Sequence, residues 1–230
     1  MFNLFRNIFR LVYPKVCVAC RESISHSEAF FCTDCLLELP YTHFHTIENN
    51  PIDELLEGRT IVDRSYAHFY FNKEGPVQEI LHAIKYLGRT DLAENLGREM
   101  AAFLVDEDWF SDIDCILPIP LHKKKMAQRG YNQATALAQG LAEISQIPMR
   151  ENVLKRIKNT DSQTKKSRLQ RIENMEGAFE ASLEIEKYEH ILLVDDVLTT
   201  ASTFESAISA IGEKCGAKMS ILSLALAIDS

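Results

Sequence analysis

Two adjacent carboxylates followed by a cluster of hydroxyls form the pairing in this sequence that most directly suggests chemistry. Asp195 and Asp196 come straight after Ile191-Leu-Leu-Val194, and Thr199, Thr200, Ala201, Ser202 and Thr203 follow. A hydroxyl-rich turn that enters a helix offers its donors to a phosphate. A second set is Cys17-Val-Ala-Cys20 and, eleven residues on, Cys32-Thr-Asp-Cys35. Two knuckles of paired thiolates can close a tetrahedron around Zn²⁺ with no other ligand, which is the closed, structural type of site. His26, His43 and His45 lie near enough to substitute. The competing reading is four unligated thiols.

These groups need elements to position them. Ile191 to Val194 is wholly apolar and partly β-branched, which reads as a strand of a parallel sheet buried on both faces. The acid pair then falls at the strand's carboxyl end, where open α/β sheets place their ligands. Phe204, Ile208, Ile211 and Cys215 recur at helical spacing, and Ser202-x-x-Glu205 has the form of a capping box. A nucleotide hydrolase would need a Gly-x-x-x-x-Gly-Lys-Ser/Thr loop, and the chain has neither that nor Gly-x-Gly-x-x-Gly. The bland alternative is a strand that ends in Asp because loops are polar.

Leu193-Val-Asp-Asp-Val-Leu-Thr-Thr-Ala-Ser-Thr203 resembles the signature of type I phosphoribosyltransferases. The resemblance implies that Asp195 and Asp196 bind the ribose hydroxyls of phosphoribosyl pyrophosphate and that residues 199–203 hold its 5′-phosphate. Ala201 departs from the usual glycine, and alanine at positive φ costs about 1 kcal/mol or more.

Along the rest of the chain, residues 2 to 12 pattern as an amphipathic helix, with Arg6 and Arg10 on its polar side, ended by Pro14. Residues 46 to 60, with Pro51, Gly58 and several acids, read as a linker between an N-terminal module (1–45) and a larger α/β domain (61–230). In that domain Tyr66 to Phe71 reads as a strand. Ile80, Ile84 and Leu87 mark one helix face, and Leu92, Leu96, Met100 and Phe103 another. Lys85-Tyr86-x-Gly88 lies at their junction and reads as a helix end that favours a cation.

Asp114 to Leu117 is a further buried strand, stopped by Pro118-Ile-Pro120. Beyond it come Lys123 to Lys125 and Arg129-Gly-Tyr-Asn-Gln133, which either bind pyrophosphate through charge-assisted donors or form an exposed basic turn. Residues from Arg156 through Thr160, Gln163, Arg171 and Asn174 to Phe179 are polar and basic, as suits a hood over an anionic substrate. Met219 to Ile228 supplies a last strand closing the sheet, and Cys115 and Cys215 read as buried small hydrophobes.

The chain has 230 residues, 46% of them apolar, and a net charge of −8. Residues 120 to 171 nevertheless carry twelve Lys or Arg against three acids, a local +9. A basic segment on an acidic protein suits a polyanionic partner, although solvated faces also collect lysines. Apolar runs stay well short of 18 residues, so neither a signal peptide nor a membrane span is expected. Six cysteines in an unsecreted chain place it in the cytoplasm.

Taken with the cysteine knuckles, Lys85-Tyr86-x-Gly88, Pro118-x-Pro120, Arg129-Gly-Tyr-Asn-Gln133 and the hood, the chain is similar to the ComF family over nearly its whole length. That resemblance implies a zinc-finger module on a phosphoribosyltransferase-like fold and a role in DNA uptake during natural transformation. It also implies single-stranded DNA and a competence helicase as partners, and phosphoribosyl pyrophosphate with Mg²⁺, or a related phosphosugar or nucleotide, as ligand. The other expectation is an active transferase that displaces pyrophosphate with an unknown base or amine.

Overall fold

The computed structural model describes residues 15–25, 27–158 and 177–227. In chain order these form α1 (Thr33–Glu38), α2 (Pro51–Leu56), β1 (Arg64–Tyr70), α3 (Pro76–Tyr86), α4 (Thr90–Val105), β2 (Cys115–Pro118), α5 (Lys123–Arg129), α6 (Gln133–Ser145), β3 (Leu154–Arg156), β4 (Phe179–Ala181), β5 (His190–Leu198), α7 (Ser202–Gly212) and β6 (Lys218–Leu226), with 3-10 turns at Phe44–Thr46 and Leu183–Lys187. The fold is α/β, with the four-cysteine cluster at its N-terminal end. The expected helix over residues 2–12, His26, and the hood residues Thr160, Gln163, Arg171 and Asn174 lie outside the described residues.

Four parallel strands form the main sheet in the order β1-β6-β5-β2. Met219 to Leu226 is buried throughout, as is His190 to Val194. Strands covered on both faces are apolar without alternation, which is why both runs were legible. The last strand does not close the sheet at an edge: β6 lies between β1 and β5, and the edges are β1 and β2.

β5 is longer than its apolar run. It stays paired with β6 through Asp195↔Ser223, Val197↔Ala225 and Leu198↔Leu226, whereas its pairing with β2 stops at Pro118↔Val194. The Ile119 N–H gives a last bond to the Val194 carbonyl (2.8 Å). Prolines 118 and 120 have no N–H with which to extend the ladder. The sheet therefore opens on its β2 side where the two carboxylates emerge.

The helices pack by the expected faces with two exceptions. α3 buries Ile80 and Ile84, but Leu87 follows the helix as its C-cap and is exposed. α4 buries Leu92, Leu96 and Met100, with Leu104 rather than Phe103 completing the fully buried face. α4 and α6 approach so closely that a Cβ on Gly97 would lie 2.1 Å from the Leu137 carbonyl oxygen, and one on Gly140 2.0 Å from that of Glu94. Only glycine fits either position, and the contact seats α6 over β2 and β5.

α2 begins at a capping box made by Asn50 and Asp53, and Asn50 also donates to the Ser65 carbonyl (3.2 Å). Ile52 and Leu56 are buried in the core, so residues 51–56 are packed against the larger domain. Among the described residues no helix is long and apolar enough to cross a membrane.

Candidate functional site

The acid pair sits at the open corner of the sheet. Asp195 Oδ1 accepts the Asp196 N–H at 2.8 Å, and Asp196 Oδ2 lies 3.0 Å from Lys85 Nζ on the last turn of α3. The sequence marked Lys85 only as a helix end; its partner is set by how α3 packs. Loss of water, and then the charge of Asp196, push the Asp195 carboxyl up to about 7, against the Asp196 N–H, Lys85 and Arg156. Asp195 thus holds a proton near neutral pH, and a cation arriving there would displace it.

After the pair, Thr199 is exposed while Thr200 and Ser202 are buried, with their hydroxyl oxygens 2.9 Å apart. Ala201 between them has φ 62° and ψ −3° and is buried. The position does adopt the left-handed region that favours glycine, at a cost of about 1–2 kcal/mol for a residue with a Cβ. The expected capping box does not form. Ala201 occupies the N-cap position without a side-chain cap, Ser202 is the first residue of α7, and the Glu205 carboxylate pairs with Arg59. One residue in the left-handed region before the helix moves Ser202 out of the cap position. The first-turn N–H groups of α7 have no intrahelical acceptor, and this end of a helix favours an anion.

Arg59 is the site residue that sequence reasoning missed. Its guanidinium donates to the carbonyls of Leu55 and Thr200, each at 3.0 Å, and to Glu205 Oε2 at 2.7 Å. No local pattern around Arg59 announces its contacts with Thr200 and Glu205, which lie on the distant loop and on α7.

The Arg129-to-Gln133 motif builds a corner beside the acids. Gly130 ends α5 in the left-handed region, and Asn132 caps α6 and donates to the Ile119 carbonyl at 3.0 Å. That bond fixes the exit from β2. Arg129 donates to Gln133 Oε1 at 2.7 Å, and its guanidinium carbon lies 5.8 Å from the Tyr86 ring centre. The charges of Arg129 and Asp196 both act on Tyr131, whose hydroxyl burial pushes upward. Arg156 ends β3 over the Phe179 ring of β4 (5.3 Å), where burial pushes its guanidinium down against the charge of Asp195. Lys123 and Lys124 are exposed.

The cysteine cluster is preformed. The sulfurs of Cys17, Cys20, Cys32 and Cys35 lie within 4.8 Å of one another, and Cys20 and Cys32 are 3.8 Å apart. Tetrahedral Zn²⁺ with bonds of about 2.3 Å needs sulfurs roughly 3.8 Å apart, so the donor set fits a zinc ion. The Cys32 N–H points at the Cys17 sulfur and the Cys35 N–H at the Cys32 sulfur, both at 3.4 Å. Burial raises the Cys17 thiol, but N–H donors from Cys20, Cys32 and Ala19 outweigh it and bring it to about 7, towards the thiolate a metal requires. His43 and His45 pack instead with Tyr41, Tyr66 and Phe103. Cys115 is buried and pushed up to about 12, and Cys215 packs against the core.

A second polar cluster, Asp63, Asp112 and His190, gathers around the amino end of β5, the far end of the strand from the acid pair. Arg64 lies 2.7 Å from Asp112, and Lys218 lies within 3.9 Å of both acids. These cations neutralise the cluster, and Asp112 is held at about 2, chiefly by Arg64. An open groove lined by Glu48, Asp53, Glu54, Asp63 and Trp109 contains none of the acid-pair or loop residues.

No family model matches the chain. Among curated proteins, competence protein F of Haemophilus influenzae is 42% identical over 94 residues, which is 39% of this chain and 40% of that protein. Competence protein ComFC of Bacillus subtilis is 34% identical over 99 residues, 43% of this chain and 38% of that protein. DNA utilization protein YhgH of Escherichia coli K12 is 28% identical over 126 residues, 54% and 55%. The chain spans about two fifths to just over half the length of these relatives. The likeness recurs in relatives that carry competence and DNA-utilization names, which supports a ComF-family protein.

Proposed function

We propose that this protein acts in DNA uptake, binding phosphoribosyl pyrophosphate with Mg²⁺ at the acid pair and single-stranded DNA along residues 120–171. The observation that carries the pocket is the placement of Asp195 and Asp196 at an open sheet corner, followed by a left-handed loop that leads into a helix N-terminus. The acids would orient ribose hydroxyls and help to hold Mg²⁺, Thr199 to Thr203 would cradle the 5′-phosphate, and Arg129 would approach the pyrophosphate. Mg²⁺, when bound, neutralises pyrophosphate charge. The names of the relatives support the DNA role. The zinc-holding module (1–45), the connecting segment (46–60) and the phosphoribosyltransferase-like domain (61–230) would act together in the cytoplasm beside a competence helicase.

The test is thermal denaturation with phosphoribosyl pyrophosphate and Mg²⁺. A ligand that binds only the folded state stabilises it by about 2.7 kcal/mol at a hundredfold excess over its Kd. Wild type should show the shift, and Asp195→Ala with Asp196→Ala should abolish it. An unshifted wild type defeats the pocket.

A second reading is an active phosphoribosyltransferase, in which the acid pair would orient the ribose while an unknown base or amine displaces pyrophosphate. Pyrophosphate release across a panel of bases and amines separates the two readings.

A further inference from the structure

The exposed ring next in the chain to the Lys85–Asp196 ion pair is Tyr86, whereas Tyr131, the tyrosine inside the basic segment, is half-buried with its hydroxyl shut away from water. We propose that Tyr86 is a stacking platform for an unpaired base of bound single-stranded DNA, which would set one base next to the acids proposed to bind ribose. The inference rests on the DNA and phosphoribosyl reading above and names the place where the two ligands meet.

Four observations converge on this residue. Tyr86 is 66% exposed although it is the last residue of a well-packed helix, so its backbone is fixed while its ring is open. His82, one turn earlier, lies 5.2 Å away ring to ring at a tilt of 45°, and Leu87 beside it is 62% exposed, so the apolar surface around the ring is open. The preceding residue, Lys85, is held 3.0 Å from Asp196, so the ring is anchored one residue from the acid-pair contact. The Arg129 guanidinium lies 5.8 Å from the ring centre, at the end of the helix that carries exposed Lys123 and Lys124.

An open aromatic face flanked by cations matches a ligand that alternates flat bases with phosphates. The bases stack whatever their sequence, and the phosphates meet the Arg and Lys side chains. A strand lying on this corner crowds the acid pair, so DNA and phosphoribosyl pyrophosphate should weaken each other's binding.

The test uses the full chain and fluorescence anisotropy with two labelled strands of equal phosphate count, one oligo-dT and one abasic. Wild type should prefer oligo-dT by about fivefold or more, the least that a single base–aromatic stack of about 1 kcal/mol supplies. Tyr86→Ala should bind both strands as wild type binds the abasic one, with an unchanged melting temperature and salt slope, and Tyr86→Trp should restore the preference. A Tyr86→Ala protein that keeps the full preference overturns the assignment. If wild type binds neither strand, the DNA reading falls as well, and that result is distinct from a lost preference.

Discussion

The guanidinium of Arg59 donates to the carbonyl of Thr200 at 3.0 Å, and the same nitrogen lies 2.7 Å from Glu205 on the first turn of α7. The two contacts grip the loop on either side of Ala201, whose φ of 62° is strained for alanine. Strained conformations persist only where the surroundings over-determine them.

Removing that grip has a defined consequence. Arg59→Ala leaves a partly buried carboxylate without its cation and should cost about 1–3 kcal/mol in denaturant unfolding. Ala201→Gly relieves about 1–2 kcal/mol of strain but frees the unfolded chain by about 0.4–1, so it should stabilise wild type by about 1 kcal/mol or less. Arg59→Ala should also weaken the ligand-induced melting shift, because the loop loses its grip, and in that background the same glycine should recover part of it. Strict additivity of the two changes, measured as a double-mutant cycle, would break the link between them.

The zinc prediction concerns the N-terminal cluster. Metal analysis of protein purified in reducing, chelator-free buffer should find about one zinc per chain, since structural zinc contributes about 10–16 kcal/mol of apparent binding energy. Cys32→Ser should abolish the metal and expose the module to proteolysis, while the melting shift with phosphoribosyl pyrophosphate persists. Metal content near zero in wild type would refute the site.

Asp195 makes a pH-dependent contribution. Because its folded pKa is raised to about 7, the native state holds a proton that the unfolded chain releases between about pH 4 and 7. The group's stabilising effect is complete below that window and is lost as pH rises through it. Asp195→Asn should therefore stabilise the ligand-free protein at pH 8 by about 1–3 kcal/mol, below the ceiling of about 4 set by the shift. The gain should shrink as pH falls and vanish below about pH 4. Equal stability of the two proteins at pH 8 would contradict it. Ligand with Mg²⁺ should bind more tightly as pH rises from 6 to 8, because binding expels that proton.

Salt dependence tests the basic segment. On single strands the log-log slope of affinity against salt is roughly −0.7 per phosphate neutralised. Changing Lys123, Lys124 and Lys125 together to alanine should flatten the slope by up to about 2 on that rule. An unchanged slope in an anisotropy titration at three salt concentrations would remove these lysines from the DNA interface.

Much of the fold was legible because its signals are local. The unbroken apolar runs before Asp195 and after Lys218 needed only the knowledge that parallel strands are buried on both faces. The four cysteines declared a metal-type cluster through spacing alone, and the structure brings their sulfurs together. The positive φ at Ala201 agrees with its standing where the resembled signature has glycine. Other relationships came only with the tertiary structure. An apolar run is the same whether its strand lies inside the sheet or at its edge, so the interior place of β6 had to come from pairing. Gly97 and Gly140 look like ordinary helix-weakening residues until two helix backbones meet across them. Arg59 carries no periodic or spacing signal for the site, and the Lys85-Tyr86-x-Gly88 motif names no partner, because an ion pair or an open ring depends on which distant segment the packed core sets beside it.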